Sequence, residues 1–393
     1  MTRRRGPVRT RRSLPLLLVL VVAGCSGPLL ANPPAPRPLP PATPTPGPTL
    51  PDPQPINFPR DDGPHHRLTE WWYVTGHLRT ASGGHDGFEF VVFRGERGQL
   101  PVAWASHVAL TDEDAGRFTY AQRSVLGPQV DRSPRGSDGA PLGFDFVLPG
   151  STGSPSSPGT AAWEMAGAGD DLRLAVALAP QEAEGAALPG GLAWSLALHA
   201  EKPPVLHRGG WIDFGPAGGS YYYSRTRLAV GGTLDLGAGP APVTGLAWFD
   251  HQWGDFIAIG GGWDWFAISL DDGSDLTLSL VRDPEGATAL AYGTLVDANG
   301  TATTLDATAF RVTTTGSWTS PHSGARYPAG WIIDVPSRDL RVTLIPTVAD
   351  QELDARATTG VVYWEGSQRV TAVRHGQPLG GQAYVELTGY AGR

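Results

Sequence analysis

The segment Leu172-Arg-Leu-Ala-Val-Ala-Leu178 places its leucines and valine on every second position, with arginine and alanines between them. A period of two is the mark of a half-buried antiparallel strand, whose successive side chains point to opposite faces. Leu276-Thr-Leu-Ser-Leu280 and Leu192-Ala-Trp-Ser-Leu-Ala-Leu198 repeat it. Helical periodicity does not recur, so the chain is constrained to an all-β fold. Turn signals separate the strands at Ala81-Ser-Gly-Gly84, Asp271-Asp-Gly-Ser274 and Asp297-Ala-Asn-Gly300. About twenty short strands with glycine-rich corners suggest two barrels or sandwiches.

An internal echo supports a duplicated unit. Trp71-Trp72-Tyr73 opens a strand that turns and returns as Phe88–Arg94; Trp263-Asp-Trp-Phe266 opens another that returns as Leu276–Arg282. The expected domains are residues 60–235 and 236–393, divided in the glycine-rich stretch Gly231–Gly245.

The amino terminus is an address. Six arginines precede the apolar run Leu14–Val22, too short to span a bilayer, and Val22-Ala23-Gly24-Cys25 follows. The expectation is a signal peptide over residues 1–24, lipidation at Cys25 and an exported, membrane-anchored lipoprotein facing the periplasm or the cell surface. As Cys25 is the only cysteine, no intramolecular disulfide and no cysteine-based metal site can form. Residues 28–59 hold 14 prolines, so 25–59 is expected to be an extended tether. Six of the 30 Lys+Arg lie in the acid-free leader, leaving 24 against 38 Asp+Glu, a net of −14. That balance argues against nucleic acid as a partner.

No G-x-S-x-G, H-E-x-x-H, P-loop or post-strand G-x-G-x-x-G is present, so hydrolase, zinc-protease and nucleotide-enzyme readings lack their usual support. Neither a metal nor a cofactor is expected. Two clusters concentrate polar and aromatic groups. In His65-His66-Arg67-Leu68-Thr69-Glu70-Trp71-Trp72-Tyr73, ending at His77, the adjacent histidines face opposite ways and do not form a shared chelate. Glu70 reads either as a buried carboxyl with a raised pKa or as a strand-end partner of Arg67 or Arg94. In Trp248-Phe-Asp-His-Gln-Trp-Gly-Asp255, Phe249, His251 and Trp253 share one face of a strand, and Asp250 and Gln252 the other. An apolar surround would keep His251 neutral and ready for proton transfer; equally, the octet could be a polar knot that fixes register.

Taken together, Glu70-Trp-Trp-Tyr-Val-Thr-Gly-His-Leu78, Tyr221-Tyr-Tyr-Ser224, Gly245–Gly254, Gly262-Trp-Asp-Trp265 and Gly381–Tyr390 resemble the signatures of the AttH / carotenoid 1,2-hydratase (hydroxyneurosporene synthase) family. The resemblance implies two lipocalin-like antiparallel β-barrels side by side and a pocket for an apolar molecule. It implies catalytic roles for His251, Trp253 and Asp250 and places Tyr222 or Tyr223 beside them; the expected ligand contacts are Glu70, Trp71, Trp72, Tyr73, His77, Tyr222, Tyr223, Trp263 and Trp265. The leading expectation is a lipoprotein that binds a hydrophobic small molecule, with an ABC-type export system as a partner. The alternatives are a hydratase, lyase or isomerase of an alkene, and a structural envelope protein with filled barrels.

Overall fold

The computed structural model describes residues 51–150, 160–256 and 261–391. Cys25, the leader and most of the proline-rich segment lie outside the described residues. Twenty-four strands are present, with a few single-turn 3₁₀ segments and no α-helix among the described residues. Nine strands build the site: β1 (Thr69–Thr80), β2 (His85–Gly95), β3 (Gly218–Asp235), β4 (Ala241–Phe256), β5 (Trp263–Leu270), β6 (Asp275–Arg282), β7 (Thr288–Val296), β8 (Val361–Arg374) and β9 (Gln377–Thr388).

They belong to two curled antiparallel sheets of the lipocalin-like kind. In the twelve-stranded sheet the inner order is β3-β4-β1-β2; in the ten-stranded sheet it is β7-β6-β5-β9-β8. The two expected hairpins are there as β1–β2 and β5–β6. In each unit the opening strand also pairs with a later one, β1 with β4 and β5 with β9. Each expected turn uses a glycine at positive φ, which costs a residue without Cβ little: Gly83 (92°), Gly273 (83°) and Gly300 (86°).

Each sheet encloses its own core. Trp72, Val74, Phe88, Phe90, Trp104 and Phe249 fill the first; Phe266, Ile268, Leu278, Trp331 and Val342 fill the second. The alternate residues of the inner strands are buried as well, because the sheets pack against each other through their outer faces. Tyr73, Val91 and Trp248 meet Trp265, Ala267 and Tyr384 there. At Gly87 a Cβ would stand 2.3 Å from the Tyr384 hydroxyl, so glycine permits that close approach. A buried ion cluster also joins the two units. Asp275 accepts from Lys202 Nζ at 2.6 Å and from Arg227 at 2.8 Å.

The expected boundary at 235/236 falls inside the β3–β4 hairpin. Both strands belong to the first sheet and pair from Gly218↔Phe256 to Leu234↔Ala241, with a bulge between Arg225 and Leu228. The glycine-rich stretch is a hairpin with its flanks, not a linker, and the first sheet extends to Phe256. The tether also ends sooner than expected. Residues 52–58 form a strap on the first sheet: Asp52 pairs with Arg67 and accepts from the Tyr221 hydroxyl, and Phe58 packs edge-on against Tyr223.

Candidate functional site

Strand register sorts the candidate residues onto two sides of one sheet. On β4, His251 stands opposite Trp72 of β1 and Tyr223 of β3, while Asp250 stands opposite Tyr73 and Ser224. His251, Trp253, Glu70, Trp72 and Tyr223 therefore point into the first sheet's core, and Asp250, Tyr73, Trp71 and Tyr222 toward the second sheet. The structure does not bring the twelve aromatic, acidic and imidazole candidates into one pocket.

On the core side, carboxylates and imidazoles alternate. Glu70 Oε1 accepts from His251 Nε2 at 3.0 Å and from His65 Nδ1 at 2.7 Å, and His65 Nε2 reaches Asp61 at 3.4 Å. Burial alone would raise Glu70, but charged His65 and the bonds from both imidazoles hold it down at about 2. The raised-pKa reading of Glu70 is thus corrected: its partners arrive from His65 and, at 3.7 Å, Arg94, whereas Arg67 is taken by Asp52 and Asp255. Burial opposes a charge on His65, and Glu70 and Asp61 more than restore it. His251, fully enclosed, is pushed down by burial and stays neutral. It lies over Trp72 (4.5 Å between centroids) and against Trp253, which stacks flat on His65 at 4.2 Å. Its Nδ1 has no hydrogen-bond partner.

Donor atoms of His65, Glu70 and His251 lie within 4.8 Å of one another, close enough to suggest a metal. One carboxylate oxygen at 2.7 and 3.0 Å from two imidazole nitrogens is hydrogen-bond geometry, however.

The side facing the second sheet contains a cavity of about 100 Å³. Half-buried Trp71, Phe93, Phe214 and Trp263 line its outer part, and buried Tyr73, Tyr222, Trp265 and Tyr292 its inner part. Asp250 enters from β4. Its Oδ2 accepts from the Tyr222 hydroxyl at 2.7 Å; its Oδ1 accepts from Trp248 Nε1 at 2.7 Å and from the Ser224 hydroxyl. His207 Nε2 lies 2.6 Å from Ser224 Oγ, and Trp265 Nε1 donates to Tyr222 at 3.1 Å. Burial raises Asp250 to about 6, against three donors that favour its anion.

Three further carboxyl groups surround the cavity. Glu89 of β2 accepts from the Tyr363 hydroxyl at 3.0 Å, and its other oxygen is buried without a partner. Burial lifts it to about 8, with Glu386 adding to the effect. Along one row of the second sheet, Trp265 stands opposite Glu386 and Glu386 opposite Glu365. Burial raises Glu386 to about 7. Glu365, set behind the cavity, receives the Tyr73 hydroxyl at 2.5 Å and is pushed far up by burial and by its two acidic neighbours.

Of the expected ligand contacts, Trp71, Tyr73, Tyr222, Trp263 and Trp265 line this cavity together with Asp250. His77 does not. It is tied between Glu113 (2.9 Å) and the Ala383 carbonyl (3.1 Å) beside a separate void of about 20 Å³. Glu89, Glu386, Tyr292 and Tyr363 were not anticipated. The available signal was a carboxylate inside an otherwise apolar strand, as in Phe88-Glu-Phe-Val-Val-Phe93.

Two curled antiparallel sheets closing on an aromatic, acid-bearing cavity define a lipocalin-like double-sheet protein. The chain belongs to the AttH-like family, which matches residues 49–390. This is the family expected from the Glu70–Leu78 and Gly245–Gly254 signatures. A Nitrosomonas europaea protein assigned to AttH is 29% identical, over 86% of this chain and 98% of that one, with a TM-score of 0.70. Kievitone hydratase from Nectria haematococca shares the fold at 16% identity, over 85% of this chain and 92% of that one, with a TM-score of 0.61. CghA does so at 13%, over 83% and 90%, with a TM-score of 0.54. No curated protein matches by sequence.

Proposed function

We propose that this chain is a hydro-lyase-type enzyme whose substrate is apolar and whose reacting double bond enters the cavity between the sheets. The observation that carries the reading is a pair of carboxyl groups on one apolar wall with different environments. Glu89, with a free buried oxygen, holds its proton to about pH 8; Asp250, clamped by three donors, releases its own at about 6. Carboxyl groups whose pKa values are pushed apart in one site suit acid and base roles.

In the hydration direction Glu89 gives its proton to one alkene carbon, forming a C–H bond and leaving a tertiary cation on the other. A water oxygen bonds to that carbon while Asp250 takes the proton it sheds. Passage of a proton from Asp250 back to Glu89, directly or through water, resets the pair. The cavity is smaller than the ~150 Å³ that accommodates benzene in a protein core, so only the reacting end of a long substrate fits within it. The hydratase in the same fold class is consistent with this chemistry.

The test is incubation of the full-length protein with lipid extract of the native cells in ¹⁸O-labelled water, followed by mass spectrometry. Label incorporated by the wild type and lost in Glu89→Gln and Asp250→Asn supports the enzyme. One lipid bound unchanged by all three proteins makes the chain a carrier.

We further propose that Cys25 is lipidated, so that the body works at a membrane beside an ABC-type exporter that delivers or removes the apolar molecule. Release of Cys25→Ser from the membrane fraction supports the anchor; full retention counts against it.

A further inference from the structure

The lining of the inter-sheet cavity has an unusual electrical character. Three indoles, Trp71, Trp263 and Trp265, border it, and the phenols of Tyr73, Tyr222 and Tyr292 add further ring surface. Three carboxyl groups, Glu89, Asp250 and Glu386, reach the same space. Among the described residues no lysine, arginine or histidine lines it. An apolar chain needs no acids in its pocket, and an anion would be repelled by both kinds of wall. Ring faces and carboxylates have one preference in common, which is positive charge.

The aromatic wall is also held in place. Trp265 is fixed by its bond to Tyr222 and meets Tyr73 edge-on at 5.3 Å and 84°. Trp71 is braced against Phe256 at 5.7 Å. Such a wall needs little reorganisation when a ligand arrives. We propose that the cavity recognises a compact alkylated cation, either a tetraalkylammonium group or the tertiary carbocation of the reaction above, which shares its single positive charge and its alkyl surround. The proposal rests on the cavity assigned in the preceding reading and does not require turnover.

A pH dependence follows. A cation draws protons off Asp250, Glu386 and Glu89, which hold them to about 6, 7 and 8, so affinity rises with pH across that range. The other groups facing the cavity do not reverse this. Tyr73, Tyr222 and Tyr363 are raised by burial and stay neutral, as does Tyr292 at about 12. Glu365, behind Tyr73, adds negative charge if it ionises. His107 behind Tyr363 and His207 behind Ser224 are neutral, both driven to about 3 by burial. The cation near the wall is exposed Arg208, 6.0 Å from the Tyr292 ring centre and outside the lining.

The experiment is calorimetric titration of the full-length protein, in a non-ionic detergent, with tetramethylammonium chloride and with the neutral near-isostere tert-butanol. Tetramethylammonium should bind at least about tenfold more tightly than tert-butanol at pH 8, and about tenfold less tightly at pH 6 than at pH 8. Glu386→Gln and Glu89→Gln, which leave the wall's shape, should each flatten that pH dependence. Trp265→Leu should abolish the preference; if it does not fold, the two glutamine variants carry the test. Equal or tighter binding of tert-butanol at pH 8 overturns the proposal, and so does a cation affinity independent of pH.

Two arms separate the sources of charge. Tetramethylammonium-sensitive binding to phosphatidylcholine vesicles, absent with phosphatidylglycerol, assigns the cation to a headgroup; inhibition of ¹⁸O incorporation by tetramethylammonium assigns it to the reaction. Tight ammonium binding without ¹⁸O incorporation defeats the enzyme reading alone. Incorporation without cation preference defeats this inference alone.

Discussion

Replacing Glu89 by glutamine should change how stability depends on pH more than it changes stability at any one pH. Glu89 is 1% exposed, and its pKa rises from an ordinary 4.5 to about 8 on folding. Between those values the folded chain keeps a proton that the unfolded chain has released. The group's contribution is therefore complete below 4.5, falls as pH rises, and levels off above 8. Each pH unit in the window costs about 1.4 kcal/mol, roughly 5 kcal/mol across it. Glutamine can keep the Tyr363 bond at 3.0 Å. Its amide group then occupies the unpartnered oxygen's place and costs about 1–3 kcal/mol at every pH. The two stability curves should consequently cross. Urea unfolding of wild type and Glu89→Gln, at pH 5.0 and 7.5, should give a difference that moves by roughly 3 kcal/mol in favour of the variant at the higher pH. Parallel curves would mean that Glu89 ionises as freely in the folded chain as in the unfolded one, and the acid assigned to the cavity would be lost with it.

The remaining predictions concern the other side chains of the site and its frame. Asp250→Asn should lower turnover by about 10²–10⁴, read as initial rates of ¹⁸O incorporation. Tyr222→Phe removes one of the donors that favour the Asp250 anion; its pH–rate profile should show the acidic limb displaced upward from about 6. Asp275→Ala strands Lys202 and Arg227 in the joint between the units and should cost about 3–5 kcal/mol in urea titrations. His251→Ala should cost about 3 kcal/mol through the hole left between Trp72 and Trp253, while tetramethylammonium affinity stays within about threefold, because the imidazole lies across the sheet from the cavity.

The all-β fold was legible because period-2 alternation is local: Leu172–Leu178 and Leu276–Leu280 each declare a strand without reference to the rest of the chain. The hairpins that open at Trp71 and Trp263, one in each sheet, were legible for the same reason. Domain limits were not, because Gly231–Gly245 has the composition of a linker and the hydrogen bonding of a hairpin. Residues 52–58 look like tether, yet Asp52 and Phe58 find partners some 170 residues away at Tyr221 and Tyr223. Composition cannot report a partner at that distance.

The site was half legible for a related reason. Alternation alone assigns His251 and Trp253 to one face of β4 and Asp250 to the other, and the structure keeps that division. What alternation cannot say is that the second face is also covered. In an isolated half-buried strand, Glu89 between Phe88 and Phe90 would point to water and need no explanation. Here the second sheet lies over that face and brings Glu386, Glu365 and Tyr363 with it. The same covering turns Asp250 from a surface carboxylate into one raised to about 6. Sheet-on-sheet packing therefore creates the chemistry: it removes solvent from groups that each strand, taken singly, would have left in it. It also gives the octet Trp248–Asp255 two tasks in eight residues, with Phe249, His251 and Trp253 locking the first core and Asp250 serving the cavity. A variant of His251 should consequently report on stability, and a variant of its immediate neighbour on function.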